Sequence, residues 1–86
     1  MDYRKFITTM VEIYKGYATK YPKSTYVRYI LDGYNVMLNN EFLDTMPEVD
    51  DKEIEEFLET HRNFEVILKA NPELTVEQEQ NHEWHL

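Results

Sequence analysis

The chain has 86 residues, of which 17 are Asp or Glu and nine are Lys or Arg, so its formal net charge is -8 at pH 7. Seven Tyr, four Phe and one Trp exclude a disordered, solvating acidic chain, and the length predicts a single domain over residues 1–86, with the residues from about 80 fraying. Without cysteine there is no disulfide, no thiol catalysis and no Cys-ligated zinc.

The first forty residues predict two amphipathic helices joined by a short turn. Apolar residues recur at steps of three and four from Tyr3 to Tyr17, which is the period of an α-helix. Pro22 predicts that the first helix ends near Tyr21. Ser24 is a candidate N-cap for the second helix. The inner face of that helix should then consist of Val27, Ile30, Leu31, Tyr34, Met37 and Leu38.

Two glycines interrupt these helical patterns. Gly16 and Gly33 each cost about 1 kcal/mol relative to Ala inside a helix. Close crossing of neighbouring helices accounts for such a cost more simply than a ligand does. We therefore expect each glycine to lie at a helix contact.

Residues 39–49 follow no helical period and contain Pro47. We expect a packed connection with at most one helical turn. Its apolar residues, Phe42, Leu43 and Met46, should cover the core.

The acidic half predicts a long helix and a short one. Asp50 and Glu53 form a capping-box pattern that opens a third helix over residues 51–70, ending before Pro72. Thr75 and Gln78 repeat the pattern and open a short fourth helix. The expected buried face of the third helix consists of Ile54, Phe57, Leu58, His61, Phe64, Ile67 and Leu68. The fold class is therefore all-α, a compact bundle of three main helices with a short C-terminal fourth.

The chain offers little to a catalytic or metal-binding interpretation. Ser24, its one serine, is already assigned to a cap, and no glycine-rich phosphate loop or nucleophile motif occurs. His61 falls on an apolar face, where a hydrogen-bonded core histidine is expected. Glu79, His82 and His85 share a helical face, but three ligands near a terminus do not make a rigid zinc site. We expect no enzyme, no metal and no cofactor.

Charge divides the chain in two. Residues 1–40 contain six basic and three acidic residues, a net +3, whereas residues 41–86 contain three basic and fourteen acidic residues, a net -11. Asp51, Glu55 and Glu59 repeat at every fourth position, about 6 Å apart along one side of a helix. With Glu48 and Glu56 they form the acidic strip. This strip suits a basic groove on a partner, although a solvated surface is an equal alternative.

All seven tyrosines lie in the basic part of the chain. Tyrosines interleaved with cations can stack bases and hold phosphates, and tyrosine is also enriched at protein interfaces. The candidate contact residues of this aromatic and basic face are Lys15, Lys20, Lys23, Tyr26, Arg28 and Tyr29. A protein partner is favoured, because the acidic half would repel nucleic acid.

Taken together, these features predict a non-enzymatic acidic protein that binds a protein with a basic surface, as an inhibitor, a regulator or an immunity-type factor. Nucleic-acid binding through the N-terminal half is one alternative, and a self-associating structural module is another. The first residues lack the apolar core of a secretory signal and no run is long enough to span a membrane, so we expect a cytoplasmic location.

Overall fold

Six helical segments follow one another in the computed structural model, which describes residues 2–80. They are α1 (Tyr3–Lys20), α2 (Thr25–Leu38), a 3-10 helix (Glu41–Thr45), α3 (Asp51–Arg62), α4 (Glu65–Ala70) and α5 (Val76–Gln80). No strand occurs within residues 2–80. The predicted all-α bundle of three main helices is confirmed. The connection contains a short helical segment, but of the residues expected to cover the core Leu43 is buried, whereas Phe42 and Met46 are exposed.

The helix starts predicted from capping patterns are confirmed. The Ser24 hydroxyl accepts the Val27 N–H at 3.3 Å and donates to the Leu74 carbonyl at 2.8 Å, which ties the start of α2 to the turn before α5. Asp50 accepts the Lys52 N–H at 2.8 Å at the start of α3. Local hydrogen bonds thus define where these helices begin.

The second capping box is reciprocal. The Gln78 N–H donates to the Thr75 hydroxyl at 3.1 Å, and the Thr75 N–H donates to the Gln78 side-chain oxygen at 3.1 Å. Both exchanges predicted for a capping box are therefore present at the start of α5.

α1 is the central helix of the bundle, since it packs against both α2 and α3. Its buried side chains are Ile7, Met10, Val11, Tyr14 and Tyr17. Three of them, Met10, Tyr14 and Tyr17, belong to one core cluster. The other members of the cluster come from α2, α3, α4 and the turn before α5, and they are Val27, Ile54, Leu58, Leu68 and Leu74.

The prediction of one continuous helix over residues 51–70 is wrong. The chain bends at residues 63 and 64, between α3 and α4. The Tyr17 hydroxyl lies 2.5 Å from the His61 carbonyl oxygen and 2.7 Å from that of Arg62. In a continuous helix these carbonyls would accept backbone N–H groups four residues further on, and the hydroxyl takes that place here. The Val66 N–H turns instead to the Asn63 carbonyl, at 3.1 Å.

Two aromatic rings expected in the core are exposed. Phe57 is 42% exposed and lies at the bundle edge, with its ring centroid 5.4 Å from that of Phe6 and 4.4 Å from that of His61. Phe42 is 67% exposed, whereas its neighbour Leu43 is buried. The 3-10 helix presents one side chain inward and leaves the next outside.

The expectation that Gly16 and Gly33 mark helix crossings is also wrong. A Cβ atom placed on either glycine would meet no atom within 4 Å outside its own helix and chain neighbours. Both glycines face open space on the outside of their helices. Packing within this chain therefore gives no reason for either glycine.

Candidate interaction surfaces

The acidic strip lies on α3 and on the connection that precedes it. All five of its members, Glu48, Asp51, Glu55, Glu56 and Glu59, are exposed. Ile54 and Leu58 fix the orientation of α3, because they are 2% and 1% exposed and pack in the core cluster. The strip is thus held on a rigid helix by the two side chains that anchor it.

Positive charge balances part of the strip. The cations of α3 are Lys52 and Arg62. The Arg62 guanidinium lies 3.9 Å from the Glu55 carboxylate and 3.8 Å from that of Glu59. The five carboxylates of the strip outnumber these two cations, so the surface of α3 remains net negative.

Of the proposed aromatic and basic face, Lys20 and Lys23 line one groove together with Tyr21. The other members lie outside that groove. Lys15 and Lys20 lie five residues apart on α1, about 140° around the helix. The Lys20 ammonium is 3.0 Å from the Glu65 carboxylate of α4, which also accepts the Tyr21 hydroxyl at 2.9 Å. The bond from Lys20, and to a lesser extent that from Tyr21, holds the pKa of Glu65 below its usual value.

Other members of this face also have contacts within the bundle. Tyr26 is partly buried with its ring centroid 5.5 Å from that of Phe64, and burial raises its pKa to about 12. The Arg28 guanidinium donates to the Pro22 carbonyl. Lys23 is exposed in the turn between α1 and α2, and Tyr29 is 61% exposed on α2. Of the proposed aromatic contacts, Tyr29 is the available one.

Most tyrosines belong to the interior. Tyr14 is fully buried, its hydroxyl lies 2.9 Å from Nδ1 of His61, and its ring contacts Tyr17, Tyr34 and Phe64. Burial raises the pKa of Tyr14, so its hydroxyl stays protonated and is able to donate to His61. Burial lowers the pKa of His61, which keeps the imidazole neutral as an acceptor. His61 is the hydrogen-bonded core histidine that the sequence indicates.

An apolar surface on α2 was not among the predicted sites. We call it the α2 band and define it as Tyr29, Gly33, Val36 and Met37, which line one groove. Val36 is 70% exposed and Tyr29 is 61% exposed. Met37 also lines a second groove with Phe42 and Met46, so the apolar surface continues onto the 3-10 helix. The sequence signal was available, since Tyr29 and Val36 fall outside the expected inner face of α2.

Residues 2–80 contain no group of three or more His, Asp or Glu placed to hold a metal ion. His82 and His85, which the sequence offers with Glu79 as ligands, lie outside the described residues. No helix among the described residues combines the length and the apolar character needed to cross a membrane.

Comparison of the chain with protein-family models, curated proteins and solved structures gave no match. The surfaces themselves are therefore the basis for an inference about function.

Proposed function

We propose that this protein acts without catalysis by binding a second protein through the acidic strip, as an inhibitor or regulator of a partner with a basic surface. The observation behind the proposal is the strip itself, five exposed carboxylic residues on and beside one anchored helix. Such a surface attracts a basic patch from a distance and accelerates encounter. A location in the cytoplasm belongs to the same proposal, because a chain without cysteine suits a reducing compartment.

Nucleic-acid binding is less well supported than a protein partner. Stacking of bases needs exposed rings, and Tyr29 is the exposed one among the seven tyrosines, all of which lie in the described part of the chain. Lys20 and Lys23 line one groove with Tyr21, but Lys20 is paired with Glu65, and Glu73 lines the same groove. The remaining positive charge would have to overcome a net charge of -8.

The test is to neutralise the strip while keeping the fold. The strip variant combines Asp51→Asn, Glu55→Gln, Glu56→Gln and Glu59→Gln. A matched control removes four exposed acids elsewhere, through Glu12→Gln, Glu41→Gln, Glu73→Gln and Glu77→Gln. Both variants have the same net charge, so any difference between them depends on where the charge was removed.

The partner is first captured from native lysate and identified by mass spectrometry, and its association rate is then measured against salt concentration. We expect the strip variant to associate at least about tenfold more slowly, with a flatter salt dependence, and the control to resemble the unmodified protein. Equal slowing in both variants would mean that the strip acts only through the net charge of the protein and not through its position. An unchanged rate in the strip variant would make it only a solubilising surface.

A further inference from the structure

The apolar groove on α2 lies on the flank of the helix that α5 approaches. The Tyr26 N–H donates to the Leu74 carbonyl at 3.1 Å, in the turn before α5, and α5 packs against α2. From Tyr26, steps of four, three and four residues lead to three side chains on the same side of α2, namely Ile30, Gly33 and Met37. All three line the groove. The groove therefore continues, along the axis of α2, the surface against which α5 lies.

Glu79, in the last described turn of α5, has an unpaired carboxylate oxygen. This oxygen is covered and has no hydrogen-bond partner among residues 2–80. A covered acceptor without a donor is destabilising, so a donor is expected beside it. The residues that follow α5 supply side-chain N–H groups from His82, Trp84 and His85. The unpaired oxygen thus favours a chain that stays against the bundle after Gln80.

The segment that follows α5 has the reach and the side chain to cover the groove. Trp84 is the one tryptophan of the chain and lies four residues beyond Gln80, a span of up to about 14 Å. Gly33 lies seven residues beyond Tyr26, about 10 Å along α2. An indole ring has a large apolar area, which is stabilising once it is removed from water. The groove is the apolar surface that the path of the chain meets first.

We propose that residues 81–86 continue from α5 along the flank of α2 and that the Trp84 indole covers the groove at Gly33. A Cβ atom at Gly33 would meet no atom within 4 Å outside its own helix and chain neighbours, so the ring packs directly on the backbone of α2. Tyr29 and Val36 form the far rim of the groove and stay outside this contact. The contact gives Gly33 a reason, and it replaces the expectation that the residues from about 80 fray.

This inference does not depend on the acidic strip. α3 takes no part in the proposed contact, so the strip remains available to a partner. The strip variant described above should keep Trp84 in the groove. Loss of partner binding and loss of the Trp84 contact are thus separable results.

The first test is the fluorescence of Trp84 in the full chain, with circular dichroism to verify the fold of each variant. We expect emission at shorter wavelength, and weaker quenching by acrylamide, than in urea. Gly33→Leu should shift the emission back to longer wavelength, because its side chain fills the groove. Gly16→Leu on α1 is the matched control, since Gly16 also lies inside a helix and faces open space. Equal quenching in buffer and in urea, or an equal response to both substitutions, would overturn the proposal.

The second test locates the ring by NMR of protein labelled at the methionine methyl groups. Met37 lines the groove, so an indole stacked there should displace its methyl signal, and Trp84→Leu should remove that displacement. Met46 is the control, because it lies in the neighbouring groove and its signal should be the same in both proteins. A Met37 signal that Trp84→Leu leaves in place, or a change at Met46 alone, would contradict the proposed position of Trp84.

Discussion

α1 and α2 have similar amphipathic patterns in sequence but very different places in the bundle. α1 has 18 residues and buries five of them, whereas α2 has 14 residues and buries Val27. The difference comes from their neighbours, since α1 lies between α2 and α3 while α2 has its main contacts on the α1 side. An apolar period shows which side of a helix turns inward, but the surrounding helices decide how much of it is covered.

The consequence is a division of roles. α1 supplies the core and the bonds that shape α3 and α4, while the outer side of α2 retains apolar surface that the chain does not cover. Exposed apolar surface of this kind is a common feature of protein interfaces. The comparison can be tested by substitutions in each helix.

The largest effect is expected at Tyr14. Tyr14→Ala removes a fully buried ring that contacts His61, Phe64, Tyr17 and Tyr34. The free energy of unfolding should fall by about 3 to 5 kcal/mol, enough to unfold much of a domain this small. Urea unfolding followed by circular dichroism measures this. A loss below about 1 kcal/mol would show that α1 is not the central helix.

A smaller loss is expected from Tyr17→Phe, which keeps the ring and removes the hydroxyl shared by the His61 and Arg62 carbonyls. We expect a decrease of about 1 to 3 kcal/mol in the free energy of unfolding, since the Arg62 carbonyl loses this donor while the His61 carbonyl keeps the Phe64 N–H. Tyr29→Phe is the control, because the Tyr29 side chain is exposed and should change stability by less than about 0.5 kcal/mol. Equal effects in the two variants would contradict the proposed cause of the bend.

Acidification should weaken the contact between α1 and α3 through His61. Burial holds the pKa of His61 below its ordinary value of 6.5, so below that pH the unfolded chain takes up a proton that the folded chain resists. Stability should therefore fall as the pH drops from 6.5, until the lowered pKa of the folded state is passed. Protonation also makes both ring nitrogens donors, so Nδ1 can no longer accept from the Tyr14 hydroxyl.

The matched measurement compares unfolding of the unmodified protein and of His61→Gln between pH 7.5 and pH 5. Their difference in stability should narrow on acidification, because the titration of all other groups is common to both proteins. A constant difference across this range would mean that His61 titrates as it does in the unfolded chain.

The smallest effect is expected at Val36. Val36→Ala should change the free energy of unfolding by less than about 0.5 kcal/mol at concentrations where the protein is monomeric, because Val36 is 70% exposed. Val27→Ala on the same helix removes a fully buried side chain and should cost about 2 kcal/mol. If the two valines respond alike, the assignment of inner and outer sides of α2 is wrong.

The helix starts could be predicted because they depend on groups close together in sequence. Ser24, Asp50 and Thr75 each accept a backbone N–H two or three residues further on. The bend after Arg62 could not be found in this way. It involves the hydroxyl of Tyr17, which is 45 residues distant from Arg62 in the chain.

The two candidate surfaces differ in the same way, since one could be predicted from the sequence and the other could not. Exposure of the acidic strip follows from residue type, since carboxylates on a helix rarely lie inside a core. The α2 band depends on which helices pack beside α2, and a helical period does not contain that information. Tyr29 and Val36 lie outside the expected inner face and were the available signals, whereas Gly33 was expected to mark a crossing within the chain.

The most direct measurement of the contrast between α1 and α2 is the line broadening that a soluble paramagnetic probe causes in 1H–15N NMR spectra. If α2 is the outer helix, the backbone signals of Tyr29 and Val36 will broaden as the probe is added. Those of Met10 and Tyr14 in α1 will keep their width, because these residues are fully buried. Equal broadening in the two helices, or broadening in α1 alone, would contradict the assignment of α1 as the central helix and α2 as the outer one.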